Sequence, residues 1–183
     1  MAHPQANDHT RQPSDAELAL EVARGNTPAI ATLYHRHARA MLAVAFRVLQ
    51  SEADAEDVVH DVFVGLPEAL RRYEERGVLG AWLRKVTARV ALMRLRSESA
   101  RSSEPLQHES AATPGAPDET LTIEAALQRL SPALRAVLVL KEIEGFSHSE
   151  IANMLDISIG ASEVRLHRAL RTLRAMLIPD RNL

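Results

Sequence analysis

The chain has 183 residues, with 22 Lys and Arg against 24 Asp and Glu, a net charge of −2, 3% aromatics and no cysteine. Without cysteine there is no disulfide scaffold, no thiol nucleophile and no thiolate zinc site. No apolar run approaches the roughly 20 residues of a membrane span, and the polar residues 1–13 carry no signal-peptide core. The expectation is a soluble, cytoplasmic protein without membrane insertion, opening on a disordered tail.

The composition, rich in Ala, Leu, Arg and Glu, predicts helices with aliphatic cores. Ser14 with Glu17 makes a capping-box pattern, and Gly25 stops the short helix that follows. Thr27 then Pro28 reads as an N-cap with Pro at the first helical position. The next helix places Ile30, Leu33, Tyr34, Met41, Ala45, Val48 and Leu49 on one stripe. Ser51 opens a third helix that turns Val58, Val59, Val62, Phe63, Leu66 and Leu70 inward. Pro67 removes a backbone donor there and is expected to kink the helix or end its regular part. A loop from Tyr73 to Gly80 leads to a fourth helix carrying Trp82, Leu83, Val86, Val90 and Leu95.

Ser97 to Thr120 holds almost no large apolar residue and cannot bury enough surface to offset chain entropy, so it reads as a linker. Four helical segments follow: about Leu121–Leu130, Ser131 to about Glu144, a third opened by the capping box Ser147–Glu150, and a fourth from near Ser158 to about Leu177. No strand-like alternation occurs. The predicted fold is all-α, two small helical domains joined by a flexible linker, with boundaries at 14–98 and 120–178 and the linker at 99–119.

Charge is segregated along the chain. From Gln50 to Glu68 there are six acidic residues and no Lys or Arg, whereas Arg71 to Arg101 holds nine basic residues against three acidic. The ordinary explanation is solvated helix faces. The succession of blocks instead suggests one surface for a basic protein partner and another for phosphates.

Ser147–Leu155, the turn Asp156-Ile-Ser158, and Ile159–Leu173 have the layout of a helix-turn-helix, whose second helix enters the major groove. A helical wheel puts Leu166, Leu170, Leu173 and Leu177 on the buried arc. The opposite arc collects Glu163, Val164, Arg165, His167, Arg168, Arg171 and Thr172. An ordinary helical hairpin is the bland alternative.

Two stretches carry a family resemblance. Leu127-Gln-Arg-Leu-Ser-Pro-Ala-Leu-Arg-Ala-Val-Leu through Phe146-Ser-His-Ser-Glu-Ile-Ala152, with Arg165-Leu-His-Arg-Ala169, resembles domain 4 of bacterial sigma factors. Leu33-Tyr34, Ala53-Asp-Ala-Glu-Asp-Val-Val-His-Asp-Val-Phe63, Ala81-Trp-Leu83 and Ala91-Leu-Met-Arg-Leu-Arg96 resemble sigma domain 2. Two such domains on a short linker resemble the extracytoplasmic-function (ECF) group, over about Asp15 to Leu177.

The resemblance implies a non-enzymatic, cofactor-free factor that binds core RNA polymerase and directs promoter-specific initiation. Asp54, Glu56, Asp57 and Asp61 would grip the β′ clamp helices, with the β flap as a second contact. Tyr73, Trp82, Lys85, Arg89 and Arg96 would handle the −10 element, whose bases are captured single-stranded. Trp82 is equally a core residue or a stacking platform. Ser147, Ser162, Glu163, Val164, Arg165, His167, Arg168 and Arg171 would read the −35 duplex, and an anti-sigma protein would hold the factor inactive. Acidic linker residues such as Glu104 and Glu109 would mimic a nucleic-acid backbone or simply keep the linker solvated.

The chain departs from the family pattern at Gly65 and Pro67, at Arg89 and Met93 where relatives carry Asn and Asp, and at Glu163 where a base is common. Glu163 either accepts a hydrogen bond from cytosine or pairs with His167 four residues on. The eight histidines show no ligand spacing, so no metal role is assigned. The rival readings are a helix-turn-helix regulator acting on duplex DNA by itself, and a helical adaptor that binds only protein.

Overall fold

The computed structural model describes residues 12–73, 78–101 and 122–177, all of them in helices and their connections. The expected N-terminal tail (apart from residues 12–13), most of the Tyr73–Gly80 loop and nearly all of the expected linker lie outside these residues. The helices are α1 (Asp15–Ala23), α2 (Thr27–Leu49), α3 (Glu52–Arg71), α4 (Leu79–Arg101), α5 (Ile123–Gln128), α6 (Pro132–Leu138), α7 (His148–Leu155) and α8 (Ile159–Leu177), with a π-helical turn at Val139–Ile143. Since α4 runs to Arg101, the first residues of the expected linker belong to a helix.

Local chemistry sets most helix ends. Ser14 Oγ accepts from the Glu17 amide at 3.3 Å while Glu17 Oε2 accepts from the Ser14 amide at 2.6 Å, which is the reciprocal capping box. Gly25 takes φ +88°, the left-handed turn that ends α1. Asn26, not Thr27, caps α2, whose first turn holds Pro28. The amide of Asp54 donates to Ser51 Oγ and starts α3. Pro67 lies inside α3, which continues to Arg71 because Leu66 and Leu70 on either side are buried. Their burial, worth about 1.5–3 kcal/mol each, offsets the lost bond.

The N-terminal module packs α1, α2, α3 and the start of α4 around Val22, Leu33, Met41, Val59, Leu66 and Leu83. All six expected apolar positions of α3 are buried, whereas Tyr34, expected inside, is 44% exposed and rests against Phe63 at 5.0 Å with the rings tilted by 59°. Asp15 fastens α1 to α2 through Arg36 at 3.0 Å and His37 at 2.9 Å. The small C-terminal core joins Leu127, Leu134, Leu138 and Ala169 from α5, α6 and α8 with Leu130 from the α5–α6 connection.

A third apolar cluster crosses between the modules. It combines Val44, Val48, Ala88, Leu92 and Leu95 of α2 and α4 with Val137, Leu140, Phe146, Ile151 and Leu155. The modules therefore meet over a buried surface, a contact that sequence periodicity did not announce.

Candidate nucleic-acid interface

Helix α7 opens with a second capping box. Ser147 Oγ accepts from the Glu150 amide at 3.2 Å, and Glu150 Oε2 accepts from the Ser147 amide at 2.8 Å. The Ser147 amide and hydroxyl, both donating to Glu150 Oε2, hold the Glu150 carboxyl below its usual pKa. Ser147, expected among the DNA-reading residues, is thus engaged as a helix cap. Asp156 adopts φ 55° and makes the tight turn into α8, and Ser158 Oγ accepts from the Ala161 amide to start that helix.

The buried face of α8 corrects the helical-wheel reading by about one residue. Ser162, Arg165, Ala169 and Met176 are buried, with Leu166 and Leu173 partly so, while Leu170 and Leu177 are exposed. Ala169 is small enough to let α8 approach α6 closely, and that contact decides which side faces in. Ser162 is completely buried and lies 2.9 Å from His148 Nδ1. Arg165 is also buried, so neither residue stands on the outer face where it was expected. Glu163, Val164, His167, Arg168 and Arg171 remain exposed there.

On α3, Asp54 and Asp57 do not wait for an external cation. Arg94 of α4 reaches both, with Nη2 2.9 Å from Asp54 Oδ1 and 2.9 Å from Asp57 Oδ2. Partial desolvation opposes the guanidinium charge, but the two carboxylates prevail and its pKa is raised. Glu56 and Asp61 stay exposed. Glu56 borders a groove of about 320 Å³ lined also by Leu42, Ala43, Phe46, Glu52 and Ala55. Asp61 and Met93 share a second groove with Arg94.

On α4, Trp82 is partly buried and stacks obliquely on Tyr73 at 4.9 Å, as part of the N-terminal core. Lys85, Arg89 and Arg96 form the expected stripe, but they face the C-terminal module. The Phe146 ring lies 5.1 Å from Lys85 Nζ and 5.9 Å from the Arg89 guanidinium. Arg96 donates to the Met154 carbonyl at 2.9 Å and approaches Asp156 at 3.9 Å. Phe146 and Glu144 were missed as interface residues because their partners come from another module.

Among the described residues, no helix is long and apolar enough to cross a membrane, and no cluster of His, Asp and Glu has the makings of a metal site.

Comparison with known proteins places this geometry. Sigma-70 region 2 matches residues 33–101 and sigma-70 region 4 matches residues 120–173. The chain is 33% identical to ECF RNA polymerase sigma factor SigL of Mycobacterium tuberculosis, covering 79% of this chain and 86% of that protein. It is 31% identical to RNA polymerase sigma factor CarQ of Myxococcus xanthus, covering 84% and 91%. The chain belongs to the ECF group of sigma factors. It directs promoter-specific initiation by RNA polymerase, and the regulator that acts on duplex DNA alone is not favoured. The structure of CnrH in complex with the cytosolic domain of CnrY resembles this sigma factor with a TM-score of 0.51 at 30% identity, over 89% of this chain and 96% of that one. The N-terminal module is accordingly sigma domain 2, and the C-terminal module is sigma domain 4.

Proposed function

We propose that the two sigma domains divide the work by surface chemistry, domain 2 spanning 14–98 and domain 4 spanning 120–178. The outer face of α3 binds the β′ clamp helices of core polymerase. Glu56 and Asp61 supply the contacting charges there, while Asp54 and Asp57 act through Arg94, which braces α3 against α4. The apolar floor of the neighbouring groove, Leu42 and Phe46, offers a seat for a partner's aliphatic side chain.

Domain 4 reads the −35 duplex with Glu163, Val164, His167, Arg168 and Arg171, and contacts the β flap. The observation that carries this reading is the exposure of that mixed base-reading and cationic face on the second helix of the helix-turn-helix. Lys85, Arg89 and Arg96 hold the separated −10 strand by its backbone, beside Tyr73 and Trp82. The factor works in the cytoplasm, where promoter DNA and polymerase are, without catalytic chemistry or a cofactor of its own. An anti-sigma protein restrains it, as the pairing of CnrH with CnrY suggests by analogy.

Transcription in vitro with purified core polymerase on a promoter library tests the whole reading. Transcripts that require this chain and start at a shared −35/−10 pattern are expected. Transcripts that start independently of it would refute the reading.

A further inference from the structure

Gly80 sits buried in the first turn of α4, although a residue without a side chain is disfavoured in a helix. Its φ does not call for glycine, since the left-handed glycines are Gly25 and Gly145. Its neighbour does. A Cβ at Gly80 would stand 3.1 Å from both Cε1 and Nδ1 of His37, so ring or helix would have to give by a few tenths of an ångström. The backbone of α4 therefore begins against the edge of an imidazole carried by α2.

That ring has little freedom to give. Its Nε2 lies 2.9 Å from Asp15 Oδ2, and its side chain is 17% exposed. Asp15 is held in turn, because its other oxygen accepts from Arg36 Nη1 at 3.0 Å. Asp15 opens α1, which buries Leu18, Ala19 and Val22 in the N-terminal core. At the far end of α1, the Ala23 carbonyl accepts from Arg71 Nε at 3.4 Å. Helix α1 thus holds the imidazole in place through its first residue.

Gly80 and Trp82 are two residues apart, roughly 200° around an α-helix, so they lie on nearly opposite sides of α4. One side meets His37, and the other carries Trp82 against Tyr73 at 4.9 Å. How far α4 stands off from α2 therefore sets where Trp82 meets Tyr73. We propose that His37, held by Asp15 and packed on Gly80, is a positioning residue for the −10 element, seating α4 and with it the Tyr73–Trp82 pair beside the separated strand. That role rests on the −10 assignment of α4. Stacking on an unpaired base needs a ring face at a defined place, and a side chain fixed by packing and hydrogen bonds is what defines it.

Trp82 is the one tryptophan of the chain, so its fluorescence reports this seat. Gly80→Ala pushes α4 away from α2 and is expected to raise the quenching of Trp82 emission by acrylamide. In transcription with core polymerase, it should narrow the ratio between the best and worst −10 variants by about three- to tenfold, because a 1 Å misplacement can cost on the order of a hundredfold. Adding His37→Ser removes the ring that the new methyl strikes, so the double variant should lose less than the product of the two single losses. Asp15→Ala, at a partly exposed position, frees the ring from behind and makes the same measurement if Gly80→Ala loses helical circular dichroism. Unchanged quenching in both Gly80→Ala and Asp15→Ala overturns the positioning role. An equal narrowing by Val22→Ala, which opens a cavity in the same core, or an equal narrowing among −35 variants, would mean general softening and overturn it too. Wild-type initiation that ignores the −10 sequence would instead strike the −10 assignment and leave the quenching result standing.

Discussion

Glu163 stands exposed in the first turns of α8, where a helix-turn-helix meets base edges. A carboxylate there accepts from the exocyclic amine of cytosine and is left desolvated and unpaired opposite a base without that donor. Glu163→Gln is expected to relax or shift preference at one −35 position by about 1–3 kcal/mol. A promoter library scored with both proteins decides it, since an equal change across all −35 variants would mean that Glu163 reads nothing. Glu144 offers a second test at this scale. Burial raises its carboxyl pKa against the pull of Arg84, Arg47 and Lys85. Its folded value therefore lies above its unfolded one, and its contribution to stability is full at low pH and lost as pH rises through the folded value. Glu150 acts oppositely, its contribution being lost as pH falls below the ordinary carboxylate range. As pH rises above the ordinary carboxylate range, the thermal midpoint should decline, and Glu144→Gln should flatten the slope. An unchanged slope in that variant would assign the pH dependence elsewhere.

At the scale of the helix, α3 shows how a neighbour redistributes an acidic face. Four carboxylates looked equivalent for docking, but Arg94 claims Asp54 and Asp57. Reversing either of those would break an internal tie as well as a docking contact, which confuses the result. Glu56→Lys with Asp61→Lys is the cleaner variant. Exposed pairs are individually worth about 0.2–1 kcal/mol, so reversal, which adds repulsion, is sharper than truncation. The double variant should lose co-purification with core polymerase while its thermal midpoint stays within a few degrees of wild type. Retained co-purification would refute the assignment. Helix α7 depends on its capping box in the same local way. Ser147→Ala should cost about 0.5–2 kcal/mol in chemical denaturation, and a smaller cost would mean that the cap is dispensable once α7 is packed.

For the whole molecule, a net charge of −2 provides little general attraction to DNA, and Lys85, Arg89 and Arg96 of α4 face domain 4. The free chain is therefore expected to bind promoter duplex weakly, and core polymerase to make binding tight and sequence-specific. Gel shifts with and without core measure this, and sub-micromolar specific binding by the free chain would contradict it. The contact between the two domains gains little from its charges. Glu144 has a side chain only 3% exposed, and its burial costs more than its cations return. Arg135 is buried between the carbonyls of Val48 and Leu130, with its pKa lowered to about 10 by desolvation. It stays charged at neutral pH at the cost of its hydration. Apolar burial around Phe146, Leu140 and Ile151 carries the contact, so a partner that supplies competing surface can open it.

Capping boxes at Ser14 and Ser147, the inward stripe of α3 and the division into two helical domains were legible from residues alone. The caps and the stripe rest on residue type and spacing within about four positions along the chain, and the division on the apolar-poor stretch between the domains. The orientation of α8 was misread because apolar count favoured Leu170 and Leu177, whereas the close approach to α6 required the small side chain of Ala169 and drew Ser162 and Arg165 inward. The partners of Arg96 and Arg135 on the other domain lie 58 and 87 residues away in sequence. No local pattern ranks such pairings, because their energy comes from burial that exists only once both domains are folded. The sequence thus determined the helices and the family, and the tertiary structure alone decided which charges are open to a partner and which the chain keeps for itself.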